Sequence, residues 1–393
     1  MALVSVRPER AERVEGPAFN PMLPLSGLKV LDLSRLLPGP YATLVLADLG
    51  ADVVKIEDPE GGDYIRHMGA MAGEHSSLFV ALNRNKRSIT LDLRKPDDAA
   101  KLKALVREYD VLVESFRPGV MDKLGCGYEA LAKENPRLVY CAITGYGQTG
   151  PDRLKAGHDL NYIARSGVLG YCGTREGGPA TPGVQIGDVG GGALFGVAGI
   201  LAALYERQRT GKGRLVDISM TEGALAFIHL HLAARMALGK DGTPLQRGGE
   251  SLNGGYACYG TYPTKDGKYL AVGALEPKFF GKVLMVLGRP ELMPGAYDTG
   301  AEGVKTRGEL EKIFRTKTRA EWLEAFASAD ACVEPVYEGD EIFADPQLQA
   351  RGMFFEIDGV QQLRTPLHFG DLPKRPAPTL GKHNAEVLGP LSK

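Results

Sequence analysis

The chain has 393 residues, 44% of them hydrophobic and 24% charged, an ordinary globular composition with room for a large core and two domains. Its 47 basic and 48 acidic side chains leave a net charge of −1, so the totals offer no argument for a nucleic-acid or membrane partner. Five scattered cysteines without a CxxC pair suit a reducing, cytoplasmic setting.

Residues 1–22 mix Arg7, Arg10 and Arg13 with Glu9, Glu12 and Glu15 and have no apolar core. They match neither a secretory signal nor a transit peptide, and residues 1–24 read as a flexible tail. From Leu28 the pattern is α/β. Residues 28–33 (LKVLDL) form a short buried strand, Pro38-Gly39-Pro40 interrupts, and residues 41–49 read as a helix closed by Gly50. The next strand, residues 52–57 (DVVKIE), ends on Glu57, where a dinucleotide-binding fold places its acidic ribose ligand. The first turn, Ser34 to Pro40, lacks G-x-G-x-x-G, so a pyrophosphate has no close path to the following helix and NAD is not expected. Further apolar runs at 88–93, 111–115 and 138–144, separated by helical periodicity as at 97–108, predict a mostly parallel, doubly wound, Rossmann-like α/β sheet. The longest apolar stretches are short or broken by glycine, which argues against a bilayer span.

Two basic segments flank predicted strands. Residues 83–87 (NRNKR) lead into one and residues 115–119 (SFRPG) follow another. Loops at strand ends are where open α/β sheets bind ligands, and guanidinium groups suit phosphates; either segment could equally be solvated loop charge. Gly157-His158-Asp159 precedes an apolar helical stretch at 160–169. Asp159 is placed to cap that helix, leaving His158, a natural proton carrier near neutral pH, at its mouth. Asp188 lies in residues 186–192 (IGDVGGG), directly before the clearest helix, residues 190–208. It reads as that helix's N-cap, which by itself needs no function. The three glycines argue for more, because they clear side chains where a ligand approaches the backbone, and the helix dipole favours a carboxylate or enolate there.

Residues 210–213 form a turn and 215–220 another strand, which ends a large domain over 25–225. A linker helix region over 226–249 follows. Runs at 259–263 and 269–272 flank Asp266-Gly267, a hairpin signal that opens a smaller α+β domain over 250–345. The Pro-rich residues 346–393 return to complete the large domain. Glu276, in residues 273–277 (GALEP), is on spacing alone a charge at a helix start. His229 and His231 diverge on a helix, and no H-E-x-x-H, Walker A or G-x-S-x-G element occurs, so no metal site is expected.

As an ordered set, residues 25–63, 83–93 (NRNKRSITLDL), 114–127 (ESFRPGVMDKLGCG), 145–151 (GYGQTGP) and 211–220 (GKGRLVDISM) resemble family III CoA-transferases. Within that superfamily three positions resemble the α-methylacyl-CoA racemases. Asp188 matches an aspartate that transferases acylate and racemases use to exchange a proton. Residues 157–162 (GHDLNY) match the racemases' histidine motif, and Glu276 matches a glutamate that supports the histidine from the partner subunit.

The resemblance implies an isomerase of lipid metabolism, a racemase inverting C2 of 2-methylacyl-CoA thioesters by proton abstraction and return through an enolate. His158 and Asp188 would flank C2, Glu276 would orient His158, and the helix near Gly190 would offer N–H groups to the enolate oxygen. It also implies an interlocked homodimer, no prosthetic group, and coenzyme A as part of the substrate. The implied CoA contacts are Leu91, Asp92, Leu93, Arg94, Ser115, Phe116, Arg117, Lys123, Gly157, Asp159 and Tyr162. One departure stands out: Asp58 occupies a position where the racemases carry arginine, with Arg35, Lys55 or Arg84 as replacements. A CoA-transferase working through an Asp188 acyl intermediate, and a CoA-ester-binding protein without catalysis, remain as alternatives. The acyl chain is not legible.

Overall fold

The computed structural model describes residues 22–241 and 246–392, so the N-terminal tail lies, up to residue 21, outside the described residues. Six strands form one parallel sheet: β1 (Lys29–Leu33), β2 (Asp52–Glu57), β3 (Arg87–Thr90), β4 (Val111–Glu114), β5 (Val139–Thr144) and β6 (Leu215–Ser219). Their order is β3-β2-β1-β4-β5-β6, the doubly wound arrangement whose direction of winding reverses between β1 and β4.

Strand alternation builds two cores. Val30 stands opposite Val53 and Val111 and faces one layer of helices, while its neighbour Leu31 stands opposite Val54 and Leu112 and faces the other. Both sets are fully buried, which is why these strands read as continuous apolar runs. Pro38 begins the first helix, Pro38–Asp48, where the sequence had suggested an interruption. Its missing N–H and fixed φ fit a first helical turn.

The helix expected from residue 190 begins earlier. Ile186–Leu194 is π-helical and runs directly into the α-helix Phe195–Thr210. The combined helix, Ile186–Thr210, is long and apolar enough by composition to cross a membrane, contrary to the expectation from sequence. Half of its most apolar window is buried in the fold, where Val197, Ile200 and Ala203 pack against the sheet, so the core accounts for its apolar character.

The helices Met220–Ala226 and His229–Leu238 lead to a separate three-stranded antiparallel sheet of Tyr259–Pro263, Tyr269–Gly273 and Val333–Pro335. Its core is aromatic: Phe314 contacts Tyr262, Trp322 and Phe326. The chain then forms a hairpin, Phe354–Ile357 with Val360–Leu363, and returns to the outer edge of β3. There Ser88 N–H donates to His383 Nδ1 (3.1 Å), Thr90 N–H to Asn384 Oδ1 (2.8 Å) and Asn85 N–H to the Arg375 carbonyl (3.0 Å). An otherwise unpaired strand edge is thereby covered.

Candidate active site

A cavity of about 510 Å³ opens beyond the carboxyl ends of β1, β4 and β5. This is the switch point of the sheet, where open α/β folds bind their ligands. The loops after β1 and β4 supply Arg35, Leu36, Ser115, Phe116 and Arg117, while His158, Tyr162 and Asp188 come from beyond β5. A neighbouring depression of about 400 Å³ is lined by Leu91, Asp92, Leu93 and Arg94, and it shares Arg35 and Phe116 with the first. The Arg35 guanidinium lies 5.2 Å from the centre of the Phe116 ring, so the two side chains form one continuous wall.

His158 is the N-cap of the helix Asp159–Arg165, and its backbone N–H donates to Asn161 Oδ1 (3.0 Å). The expectation that Asp159 caps this helix is corrected, because Asp159 is its first residue. Its carboxylate turns to the other helix and accepts the backbone N–H of Asp188 (2.9 Å). Asp159 is not among the residues that line the cavity, whereas its neighbours Gly157 and His158 are. Asp188 is not an N-cap either: the cap is Gln185, and Asp188 stands in the first turn of the π-helix, 7% exposed. Burial, together with the Asp159 charge, pushes its carboxyl up to about 7. Tyr162 donates from its hydroxyl to the Gly157 carbonyl, and burial pushes it up to about 12, so it remains a neutral hydrogen-bonding wall.

The three glycines after Asp188 do not open the backbone to a ligand. They lie inside the helix, which meets Met220–Ala226 so closely that a Cβ on Gly191 would stand 2.6 Å from the Met220 carbonyl oxygen. A Cβ on Gly223 would stand 2.1 Å from the Gly191 carbonyl oxygen. The helix itself starts earlier than residue 190, at Ile186, and the Asp188 N–H in its first turn is already donated to Asp159 (2.9 Å).

The basic segment at 83–87 is likewise reassigned. Arg84 and Lys86 are 1% and 2% exposed, sealed beneath the helices rather than offered to phosphates or solvent. Arg84 pairs with Asp48 (2.6 Å) and Lys86 with Asp32 (3.0 Å). Lys55, also buried, pairs with Asp63 (3.1 Å) and donates to the Ser34 carbonyl (2.8 Å). Burial pulls Lys86 down to about 8 in spite of Asp32. Burial works the other way on Asp32, yet Lys86 and Lys55 hold its carboxyl well below the usual range. Charges this far from water are retained only when paired. Lys55 and Arg84 therefore cannot replace an arginine at position 58, and of the three candidates only Arg35 lines the cleft. Asp58 lies on the second depression with its carboxylate 3.6 Å from the Arg94 guanidinium, while Arg94 also pairs with Asp92 (2.7 Å). Glu57 is buried and held by both nitrogens of a bidentate Arg66 fork (2.7 Å each).

The same buried network shapes the site. Asp63 accepts the Leu36 N–H with both oxygens (3.2 Å each), and Leu36 adopts φ of 63° at the cavity wall. A leucine in the left-handed region is strained, and here the surrounding pairs enforce it. Arg35 N–H is pinned to Ser115 Oγ (3.1 Å), which joins the two switch-point loops. Arg117, with Arg35, Arg153 and Lys155, makes one wall of the cavity basic, as an anionic ligand requires. Arg153, Lys155 and Tyr64 were not singled out from sequence; only their positions in the fold identify them.

Lys123 is exposed and lines neither depression. Glu276 is exposed at the N-cap of Pro277–Leu287 and also lies outside the cavity of its own chain. No group of three or more metal-ligating side chains occurs among the described residues.

Residues 25–384 match the model of CoA-transferase family III. The chain is similar to α-methylacyl-CoA racemase of Homo sapiens, 38% identical over 93% of this chain and 92% of that protein. It is also similar to succinyl-CoA:glutarate CoA-transferase of Homo sapiens, 35% identical over 94% of this chain and 86% of that one. Among solved structures it superposes on a CaiB/BaiF family protein from Brucella suis with a TM-score of 0.81 and 36% identity, covering 94% of this chain and 99% of that one.

Proposed function

Because the chain belongs to CoA-transferase family III, we propose that it is an acyl-CoA epimerase that inverts C2 of a 2-methylacyl thioester. The observation that carries this reading is a pair of proton carriers, His158 and Asp188, on the walls of one cavity. An α-proton of a thioester is weakly acidic, and inversion requires one group to take it and another to return one to the opposite face. An Asp188 carboxyl near 7 exists in both forms at neutral pH, as a group acting in both directions must. With Asp188 ionised, it removes the proton from C2, the electrons pass to the thioester oxygen, and protonated His158 delivers a proton to the other face. The reverse reaction exchanges the roles. The basic wall holds the CoA phosphates and keeps C2 between the two groups.

Two interlocked chains belong to this reading. Glu276, exposed and outside its own cavity, would reach His158 from the second chain. Exposed Phe195, Tyr205, Phe227, Leu230 and Met236 on the helices after Asp188 provide apolar surface for that contact.

A second reading has the Asp188 carboxylate attack the thioester carbonyl and pass CoA to a free acid. The desolvation that raises Asp188 also makes its carboxylate more nucleophilic, and His158 then has no required step. Incubating the protein with an (S)-2-methylacyl-CoA in deuterated water separates the two. Deuterium at C2 with formation of the R epimer, lost in His158→Ala and in Asp188→Ala, is the outcome expected. CoA appearing on an added carboxylic acid, with His158→Ala fully active, would make the protein a transferase.

A further inference from the structure

Glu114 ends β4 directly before the loop Ser115–Arg117, in register with Leu33 of β1 and Ala142 of β5, and it is 5% exposed. Asp32, Asp48, Glu57 and Asp63 are also buried, and each faces a lysine or arginine. Glu114 and Asp188 have no such partner among the described residues. A buried carboxylate without a cation is costly, and such groups gather at functional sites. Asp188 has a part in the proposed chemistry, whereas Glu114 lines neither depression of the cleft. Its Oε2 accepts the Phe116 N–H (2.6 Å), and it shares a second hydrogen bond with the Tyr140 hydroxyl. Burial pushes the carboxyl up to about 8; the two hydrogen bonds oppose the rise and Asp122 adds to it. The groups that face it are neutral or acidic: Tyr140 and Cys141 from β5, Asp122 from the helix Val120–Lys123, and Leu33 from β1. The loop it holds belongs to the site. Phe116 lines both depressions, Ser115 and Arg117 line the larger one, and Ser115 Oγ accepts the Arg35 N–H (3.1 Å).

We propose that Glu114 is a positioning residue of the CoA site, which holds the loop Ser115–Arg117 by the Phe116 N–H and takes up a proton when the anionic thioester binds. This rests on the CoA-thioester reading of the cleft. In the free protein near pH 8 the carboxyl is partly ionised, and no cation offsets its charge. The phosphates of a bound CoA, drawn to Arg117 and the rest of the basic wall, bring further negative charge to the loop, and the neutral carboxyl is then favoured. The proton comes from solvent and stays on Glu114. One oxygen still accepts the Phe116 N–H, and the new O–H turns to the Tyr140 oxygen, so the loop keeps its anchor. By reciprocity, an ionised Glu114 weakens the binding of CoA by the same factor.

The test is equilibrium binding of S-methyl-CoA to the full-length protein between pH 7 and 9.5. This probe has no thiol to titrate and no acyl group to transfer, so the result does not depend on which reaction the enzyme catalyses. Over that interval the Kd of wild type should rise about five- to tenfold more than the Kd of Glu114→Gln, which keeps an acceptor for Phe116 but cannot ionise. Asp188 and Lys86 titrate in the same region, but they are unaltered in the variant and drop out of the comparison. Glu114→Ala removes the acceptor and should weaken binding about tenfold at pH 7, with Glu114→Gln restoring most of the loss. If Glu114→Ala fails to fold, the comparison of wild type with Glu114→Gln decides alone. Parallel pH profiles in those two proteins overturn the proposal, and so does a Glu114→Gln that binds no better than a folded Glu114→Ala. Failure of wild type to bind S-methyl-CoA at any pH overturns the CoA reading itself, and this role of Glu114 with it.

Discussion

The neutral form of the Asp188 carboxyl is favoured by burial and by Asp159, and this preference has a consequence for stability. An ordinary aspartate titrates near 3.8, whereas Asp188 in the folded chain does so at about 7. A raised carboxyl binds its proton more tightly folded than unfolded. The stability it contributes is therefore complete below about pH 4 and is lost as pH rises through 7. Asp188→Asn, neutral throughout, should gain on wild type over that interval. The difference in unfolding free energy, measured by denaturant titration, should grow from near zero at pH 4 to about 2–4 kcal/mol at pH 8.5. A constant difference across pH would mean that Asp188 is not the strained acid of the site. At this scale the sequence located His158 and Asp188 by their motifs. It could not show what Asp159 does, because the 2.9 Å bond to the Asp188 N–H joins residues 29 positions apart. Residues 83–87 misled for a related reason: a run of basic side chains looks alike whether it faces phosphate or the buried Asp32 and Asp48.

The helix carrying Asp188 is positioned by contact between backbones. Gly191 and Gly223 touch without side chains between them, and that contact fixes how deeply Ile186–Leu194 sits against Met220–Ala226. Gly223→Ala puts a Cβ against a carbonyl oxygen that packed backbone cannot easily move, so the helices must separate. The loss should be about 1–3 kcal/mol or more, accompanied by a fall in turnover as Asp188 shifts in the cavity. Gly308→Ala is the matched control: it lies inside the helix Ala301–Phe314 with open space around it, and it should gain about 0.5–1 kcal/mol. Thermal denaturation of the two variants, read beside their activities, checks the pair; equal effects would remove the packing argument. The six strands of the parallel sheet and the helices read at 41–49 and 97–108 were legible to within a few residues because apolar runs and helical period dictate them, whereas the helices of the smaller domain were not individually read. The start of this helix was not. Its glycines signal a close approach, but a sequence does not say whether the approaching partner is a ligand or another helix.

At the scale of the whole molecule, the parallel sheet was legible because six apolar runs alternate with helical ones. The switch-point cavity follows from strand order, which no local pattern encodes. Chain assembly is the part that depends most on the proposed function. If the exposed Glu276 orients His158 across a two-fold axis, each site draws on both chains, and a site can be rebuilt from two inactive ones. Co-expression of Asp188→Ala with Glu276→Ala, each inactive by itself, puts both defects of a mixed dimer into one site. The other site then has Asp188, His158 and Glu276 intact. Half the dimers are mixed and each holds one working site, so activity should return to roughly a quarter of wild type. If Glu276 instead serves its own chain, every site in the mixed dimer keeps one defect and activity stays at zero. Measuring epimerisation before and after the mixed dimer is isolated through a different affinity tag on each chain, where the expected value rises from roughly a quarter to about half of wild type, decides between the two arrangements.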